Sequence, residues 1–150
     1  MNGDLRDLYQ EIILEHNRSP RNFRVMPDAH RRVSADNPLC GDSYQLFLKL
    51  DGGRIVDISF QGSGCAISKA SVSMLSERVM GASIQEAEKL FQSVHALLTG
   101  EQSAQSEQLG ELEALAGVRN YPIRVKCATL GWHALKQALE EDQPETATTE

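Results

Sequence analysis

Cys40 and Asp42 stand two residues apart in Asn37-Pro38-Leu39-Cys40-Gly41-Asp42, so a soft sulfur donor and a hard oxygen donor can face one point from a single turn. Pro38 holds the chain extended ahead of them, and Gly41 between them accepts backbone angles that a Cβ would resist. A thiolate and a carboxylate so placed supply half of a four-coordinate metal site. The chain holds only two further cysteines, Cys65 and Cys127. With them, three thiols and one carboxylate make a tetrahedral set of the kind zinc takes. The spacing is not the paired C-x-x-C of a zinc finger, and on spacing alone each cysteine also reads as a small core residue. Such a set keeps net negative charge around a divalent ion. Arg124 and Lys126, just ahead of Cys127, are candidates to offset it, with ordinary solvated side chains as the plain alternative.

The elements that must bring these residues together can be read from periodicity. Tyr44, Leu46, Leu48 and Leu50 alternate with Gln45 and Lys49 and predict a half-buried strand, with Phe47 breaking the alternation. Asp51-Gly52-Gly53 is a tight turn, after which Arg54–Phe60 returns as a second strand with Val56, Ile58 and Phe60 on one face. Antiparallel pairing then puts Cys40, just before the first strand, and Cys65, just after the second, at the same end of the sheet. Cys65 opens a helix over about Ala66–Met80, where free N–H groups and partial positive charge favour an anionic ligand. Ser83-Ile84-Gln85-Glu86 is a capping box for the next helix. Leu109, Leu112 and Leu115 predict a short helix ending at Gly117, and Tyr121-Pro122 leads into a last helix that carries Cys127 in its first turns and ends near Glu141. At the other end, Leu5, Leu8, Tyr9, Ile12 and Ile13 predict an amphipathic helix stopped by Ser19-Pro20; residues 23–36 read as loop with a short strand near Arg31–Ala35.

Length and composition fit one domain over residues 1–142, followed by an acidic tail, 143–150, expected to be disordered. Glu140, Glu141, Asp142, Glu145 and Glu150 carry most of the formal charge of −6, so the body is near neutral. Arg18, Arg21, Arg24, Arg31 and Arg32 cluster against Asp28 alone, which reads as a solvated face or as a docking surface for an acidic partner. Nucleic acid is a poor candidate, since no aromatic residues interleave the bases. No apolar run would span a bilayer and the first residues are too polar for a secretory signal, so a cytoplasmic protein without a membrane partner is expected. Three cysteines in a reducing compartment favour metal or thiol chemistry over disulfides. His16, His30, His95 and His133 are dispersed and read as surface or helix-end residues, Lys69 as solvent-facing, and Trp132 as core or a partner contact.

Asn37-Pro38-Leu39-Cys40-Gly41-Asp42, the run Gly62-Ser63-Gly64-Cys65-Ala66-Ile67-Ser68-Lys69-Ala70-Ser71 and Lys126-Cys127-Ala128-Thr129-Leu130 together resemble the IscU/NifU-like family of iron-sulfur cluster assembly proteins, and within it the SufU branch. The likeness runs from about Leu5 to Leu139 and includes His16-Asn17-Arg18-Ser19-Pro20-Arg21-Asn22; Phe23-Arg24 departs from the glycine common after it. It implies an α+β fold, with a small three-stranded antiparallel sheet packed against helices and a metal site formed by Cys40, Asp42, Cys65 and Cys127 at one end of the sheet. Lys126 replaces the histidine that precedes the last cysteine in scaffold members, and residues 100–118 match an insertion of the SufU branch. The resemblance therefore implies a zinc-dependent, sulfurtransferase-type partner of a SufS-like cysteine desulfurase. In it Cys40 would be the catalytic residue that accepts persulfide sulfur for downstream iron-sulfur assembly proteins. Two alternatives remain: a scaffold on which the same side chains hold a nascent iron-sulfur cluster, and a structural zinc module.

Overall fold

Gly52 and Gly53 both adopt positive φ, +59° and +79°, which closes the tight turn that the strands on either side need. Around it β2 (Asp42–Asp51) pairs antiparallel with β3 (Arg54–Ser63), and β2 pairs antiparallel with β1 (Arg31–Asn37). In the computed structural model, residues 2–38, 41–99, 109–140 and 146–148 are described. The expected three-stranded antiparallel sheet packed against helices is present, and its register sets Asn37 opposite Asp42 and Ser43 opposite Ser63. One end of the sheet therefore carries the β1–β2 connection and the exit of β3 side by side.

Tyr44, Leu46 and Leu48 are buried with Ile58 and Phe60, as their alternation predicts. Val56, expected inward, is exposed and Ile55 is fully buried instead, because a register irregularity between Lys49 and Leu50 shifts the pairing there. Phe47 is buried on its own side of the sheet, with the Arg32 guanidinium 6.0 Å from its ring centroid. Residues 143–150 are not wholly without structure. Thr146–Thr148 form β4, which pairs parallel with β1 at the sheet edge, an arrangement open to an uncharged stretch rich in β-branched residues.

Among the described residues there are four α-helices, α1 (Asn2–Arg18), α2 (Ala66–Val79), α3 (Ile84–Thr99) and α4 (Pro122–Glu140); α2 and α4 pack on the sheet, and α1 and α3 pack on the other helices. The capping box opening α3 is made in both directions, Ser83 N–H to Glu86 Oε1 at 2.8 Å and Glu86 N–H to Ser83 Oγ at 3.0 Å. Leu109, Leu112 and Leu115 are buried as expected, but the element is a 3₁₀ helix that runs past Gly117 over Gly110–Asn120. Residues 100–108, the first part of the matched insertion, lie outside the described residues. Buried α2 and α4 pack together, and Ser71 bridges them: its Oγ donates to the Ala128 carbonyl at 2.6 Å and accepts from Trp132 Nε1–H at 3.1 Å. Trp132 is thus a core residue, 1 % exposed.

The segment after α1 is tied to α2 by polar side chains. Asn17 donates to the Ala66 carbonyl at 2.9 Å, fixing the start of α2. Asn22 takes a positive φ of 57°, and its Nδ2 donates to Ser76 Oγ at 3.0 Å. The arginine cluster is largely spoken for. Arg18 meets Glu11 and Glu15, Arg21 meets Glu15 and Glu77, Arg24 donates to Asp57 at 2.7 Å, and Arg31 donates to the Ala138 carbonyl. Lys69, expected in solvent, is half-buried with its ammonium 5.2 Å from the Phe23 ring centroid. Among the described residues no helix is long and apolar enough to cross a membrane.

Candidate metal centre

Three of the four side chains singled out from the sequence meet at that end of the sheet. An Asp42 carboxylate oxygen and the Cys65 and Cys127 sulfurs all lie within 4.8 Å of one another. Two sulfurs bound to one zinc at ~2.3 Å sit roughly 3.8 Å apart, so the spacing is close to what a tetrahedral ion requires. Leu39 and Cys40 lie outside the described residues. Their neighbours are placed: Asn37 and Asp42 are buried, and Gly41, at φ +73°, donates its N–H to the Asn37 carbonyl at 2.9 Å.

Each side chain arrives by a different element. Asp42 is the first residue of β2 and only 2 % exposed. Cys65 is the N-cap of α2, its extended backbone (φ −70°, ψ 168°) turning its sulfur back to accept from Ser68 N–H at 3.4 Å. Cys127 lies early in α4 and is fully buried. The Cys65 N–H donates to Asp42 Oδ1 at 2.8 Å, which locks the strand start to the helix start. Asp42 Oδ2 is buried with no hydrogen-bond partner among the described residues. A carboxylate oxygen orphaned in this way beside two thiols fits a cation, because such a group is costly to leave unmatched.

Three residues that were not singled out from the sequence shape the centre. Asn37 Nδ2 reaches Cys127 Sγ at 3.8 Å, a donor suited to an anionic sulfur. The Tyr44 hydroxyl and Ser68 Oγ are 2.9 Å apart, and Ser68 Oγ is 3.7 Å from Cys65 Sγ. Burial first, and then the nearby Asp42, Cys65 and Cys127, push the Tyr44 phenol up to about 12, so it stays neutral. Gly64 is required by this crowding: a Cβ there would lie 2.5 Å from Asp42 Oδ1 and 2.6 Å from both Ser68 Oγ and Tyr44 OH. Ser68 was visible as a helix first-turn residue three after Cys65, but Asn37 and Tyr44 carry no signal until strand register is known. Of the two basic candidates, Lys126 is half-buried beside Cys127, whereas exposed Arg124 lines an open groove of about 790 Å³ with Tyr9, Ile13, Ile67, Val118 and Tyr121. Of the surface or helix-end reading of His16, only the second holds: it stands in the last turn of α1 but is 1 % exposed, covered by α2 and the 3₁₀ helix.

Comparison with known proteins gives the family of the chain and relatives of its fold. Residues 8–128 match the family model of the NifU-like N-terminal domain. The chain is 39 % identical over 142 residues to the zinc-dependent sulfurtransferase SufU of Bacillus subtilis, covering 95 % of this chain and 96 % of that protein. It is 40 % identical over 136 residues to the iron-sulfur cluster assembly scaffold protein IscU of Streptococcus pyogenes, covering 91 % of this chain and 85 % of the other. Among solved structures, a candidate iron-sulfur cluster assembly scaffold protein for the SUF system from Fervidobacterium islandicum superposes with a TM-score of 0.83 at 34 % identity, covering 87 % of this chain and 95 % of that one. Motifs, fold and converging thiols lead to one conclusion: the chain belongs to the NifU-like N-terminal domain family.

Proposed function

We propose that this protein is a sulfur acceptor in iron-sulfur cluster assembly, with zinc held by Cys40, Asp42, Cys65 and Cys127 and sulfur received on Cys40 from the persulfide of a cysteine desulfurase. The observation that carries the reading is the buried Asp42 oxygen that has no hydrogen-bond partner among the described residues, beside the Cys65 and Cys127 sulfurs. Zinc bound there would keep its thiol ligands deprotonated and add no redox chemistry of its own. Cys40 is the assigned acceptor because Cys65 and Cys127 are anchored in helices, Cys127 fully buried, while Cys40 follows Pro38 and precedes Gly41 outside both. Its thiolate attacks the outer sulfur of the partner's Cys–S–SH. The partner's S–S bond breaks, a new S–S bond forms on Cys40, and the partner's inner sulfur leaves as thiolate. Lys126, next to Cys127 in the chain, would oppose the excess negative charge of the donor set, and Arg124 would add to it from the groove it lines. The cytoplasm is the compartment in which such thiols stay reduced.

The test is to mix Cys40→Ala with a SufS-like cysteine desulfurase and labelled cysteine. Loss of both desulfurase stimulation and label uptake is expected. Full stimulation and full uptake by the variant would refute the assignment.

A second reading rests on the scaffold name of the Streptococcus pyogenes relative. In it the same side chains hold a nascent iron-sulfur cluster, with the carboxylate leaving it labile enough to pass on. Reconstitution that yields a stable coloured cluster, transferred to an acceptor faster than free iron and sulfide, would favour that reading. A purely structural zinc role would instead show as unfolding on metal removal with no effect on any desulfurase rate.

A further inference from the structure

Farther along α2 from its Cys65 N-cap, His16 is buried beside Ser73 and aims its Nε2 at two carboxylates. We infer that His16, Glu77 and Glu111 form a second divalent-cation site, which joins α1, α2 and the 3₁₀ helix. Nε2 is 3.0 Å from Glu111 Oε1 and 3.8 Å from Glu77 Oε1, and the three donor atoms all lie within 4.8 Å of one another. Two donors each ~2.0–2.2 Å from a tetrahedral ion stand roughly 3.3–3.6 Å apart, and the two observed distances straddle that value.

The imidazole is already oriented for the task. Its Nδ1 lies 2.7 Å from Ser73 Oγ, which also accepts the Arg21 N–H at 2.8 Å. A hydroxyl has two acceptor positions, so Ser73 can take both the Arg21 N–H and an Nδ1–H, leaving Nε2 with a lone pair for a metal. An ion seated there would take the place of the Nε2–Glu111 hydrogen bond. Arg21 Nε approaches the other Glu77 oxygen, Oε2, at 3.7 Å, so Oε1 remains for the ion. Both glutamates are about half exposed, 44 % and 55 %, so water can complete the coordination. One neutral imidazole and two carboxylates balance a dication, and a nitrogen donor among oxygens selects zinc, cobalt or manganese over magnesium or calcium.

The experiment uses the full-length, tag-free protein, saturated with zinc at its thiol centre, freed of excess metal and then titrated with Zn²⁺ by calorimetry. A further, weaker equivalent per chain is expected. Glu111→Gln can still accept the Nε2–H hydrogen bond and changes an exposed residue, so it leaves the fold intact; it should weaken the added binding about tenfold or more, since even supporting groups cost a metal site that much. Cys65→Ser should lose the thiol-bound zinc yet keep the Glu111-dependent equivalent, which separates this site from the proposed sulfur relay. Absence of the added equivalent, or equal binding by wild type and Glu111→Gln, would overturn the inference and leave His16 as a hydrogen-bonded clasp.

Discussion

Asp42 serves two masters with one carboxylate: Oδ1 fixes the Cys65 backbone at 2.8 Å, and Oδ2 is left in the centre without a hydrogen-bond partner among the described residues. Asp42→Asn can keep the first function while weakening the second. In competition with a chelator it should lose zinc about ten- to hundredfold more readily than wild type, with an unchanged circular dichroism spectrum. Gly64→Ala tests the crowding around it, because the new Cβ would meet Asp42 Oδ1, Ser68 Oγ and Tyr44 OH at 2.5–2.6 Å. It should cost about 1–3 kcal/mol in denaturant unfolding, as overpacking does, and lower zinc content too. Asp42, Cys65 and Cys127 were legible as candidate ligands from the motifs in which they stand, since the spacing of the cysteines alone fits small core residues as well. His16 was not, since Glu15, Asn17 and Arg18 around it are polar, and the residues that bury it, Ser73 and Glu111, are far away along the chain.

At the scale of elements, the hairpin and the α3 capping box could be read directly because turn and cap chemistry is local. The irregularity that buries Ile55 in place of Val56 could not, since it depends on how two strands pair. The 3₁₀ helix likewise continues past Gly117 on tertiary packing, with Val118 buried, and β4 exists only because β1 offers it an edge. The close approach of α2 and α4 also lies beyond periodicity: a Cβ on Gly131 would sit 2.5 Å from Val72 Cγ2. Gly131→Ala should therefore destabilise the protein by about 1–3 kcal/mol, and Val72→Ala added to it should restore part of that loss, a coupling that a double-mutant cycle measures.

Also on α4, burial first, then His95 and Lys136, hold the His133 pKa below its ordinary value. The unfolded chain then binds more protons than the folded one as pH falls below ~6.5, so stability should decline through that window. His133→Gln should flatten the decline in urea midpoints measured between pH 7 and 5.

The whole molecule is arranged so that the connection out of β1, the start of β2, the N-terminus of α2 and the first turns of α4 converge on one end of the sheet. Residues far apart in sequence become neighbours because antiparallel pairing returns the chain to its starting end, and α4 packs back against α2 and β1. X-ray absorption spectroscopy of the protein as isolated measures that convergence at the metal itself. Zinc with three sulfurs at about 2.3 Å and one oxygen at about 2.0–2.2 Å is the expected result, with one sulfur lost in Cys40→Ala. Zinc bound by two sulfurs or fewer in the wild-type protein, or iron with bridging sulfide in its place, would contradict the account.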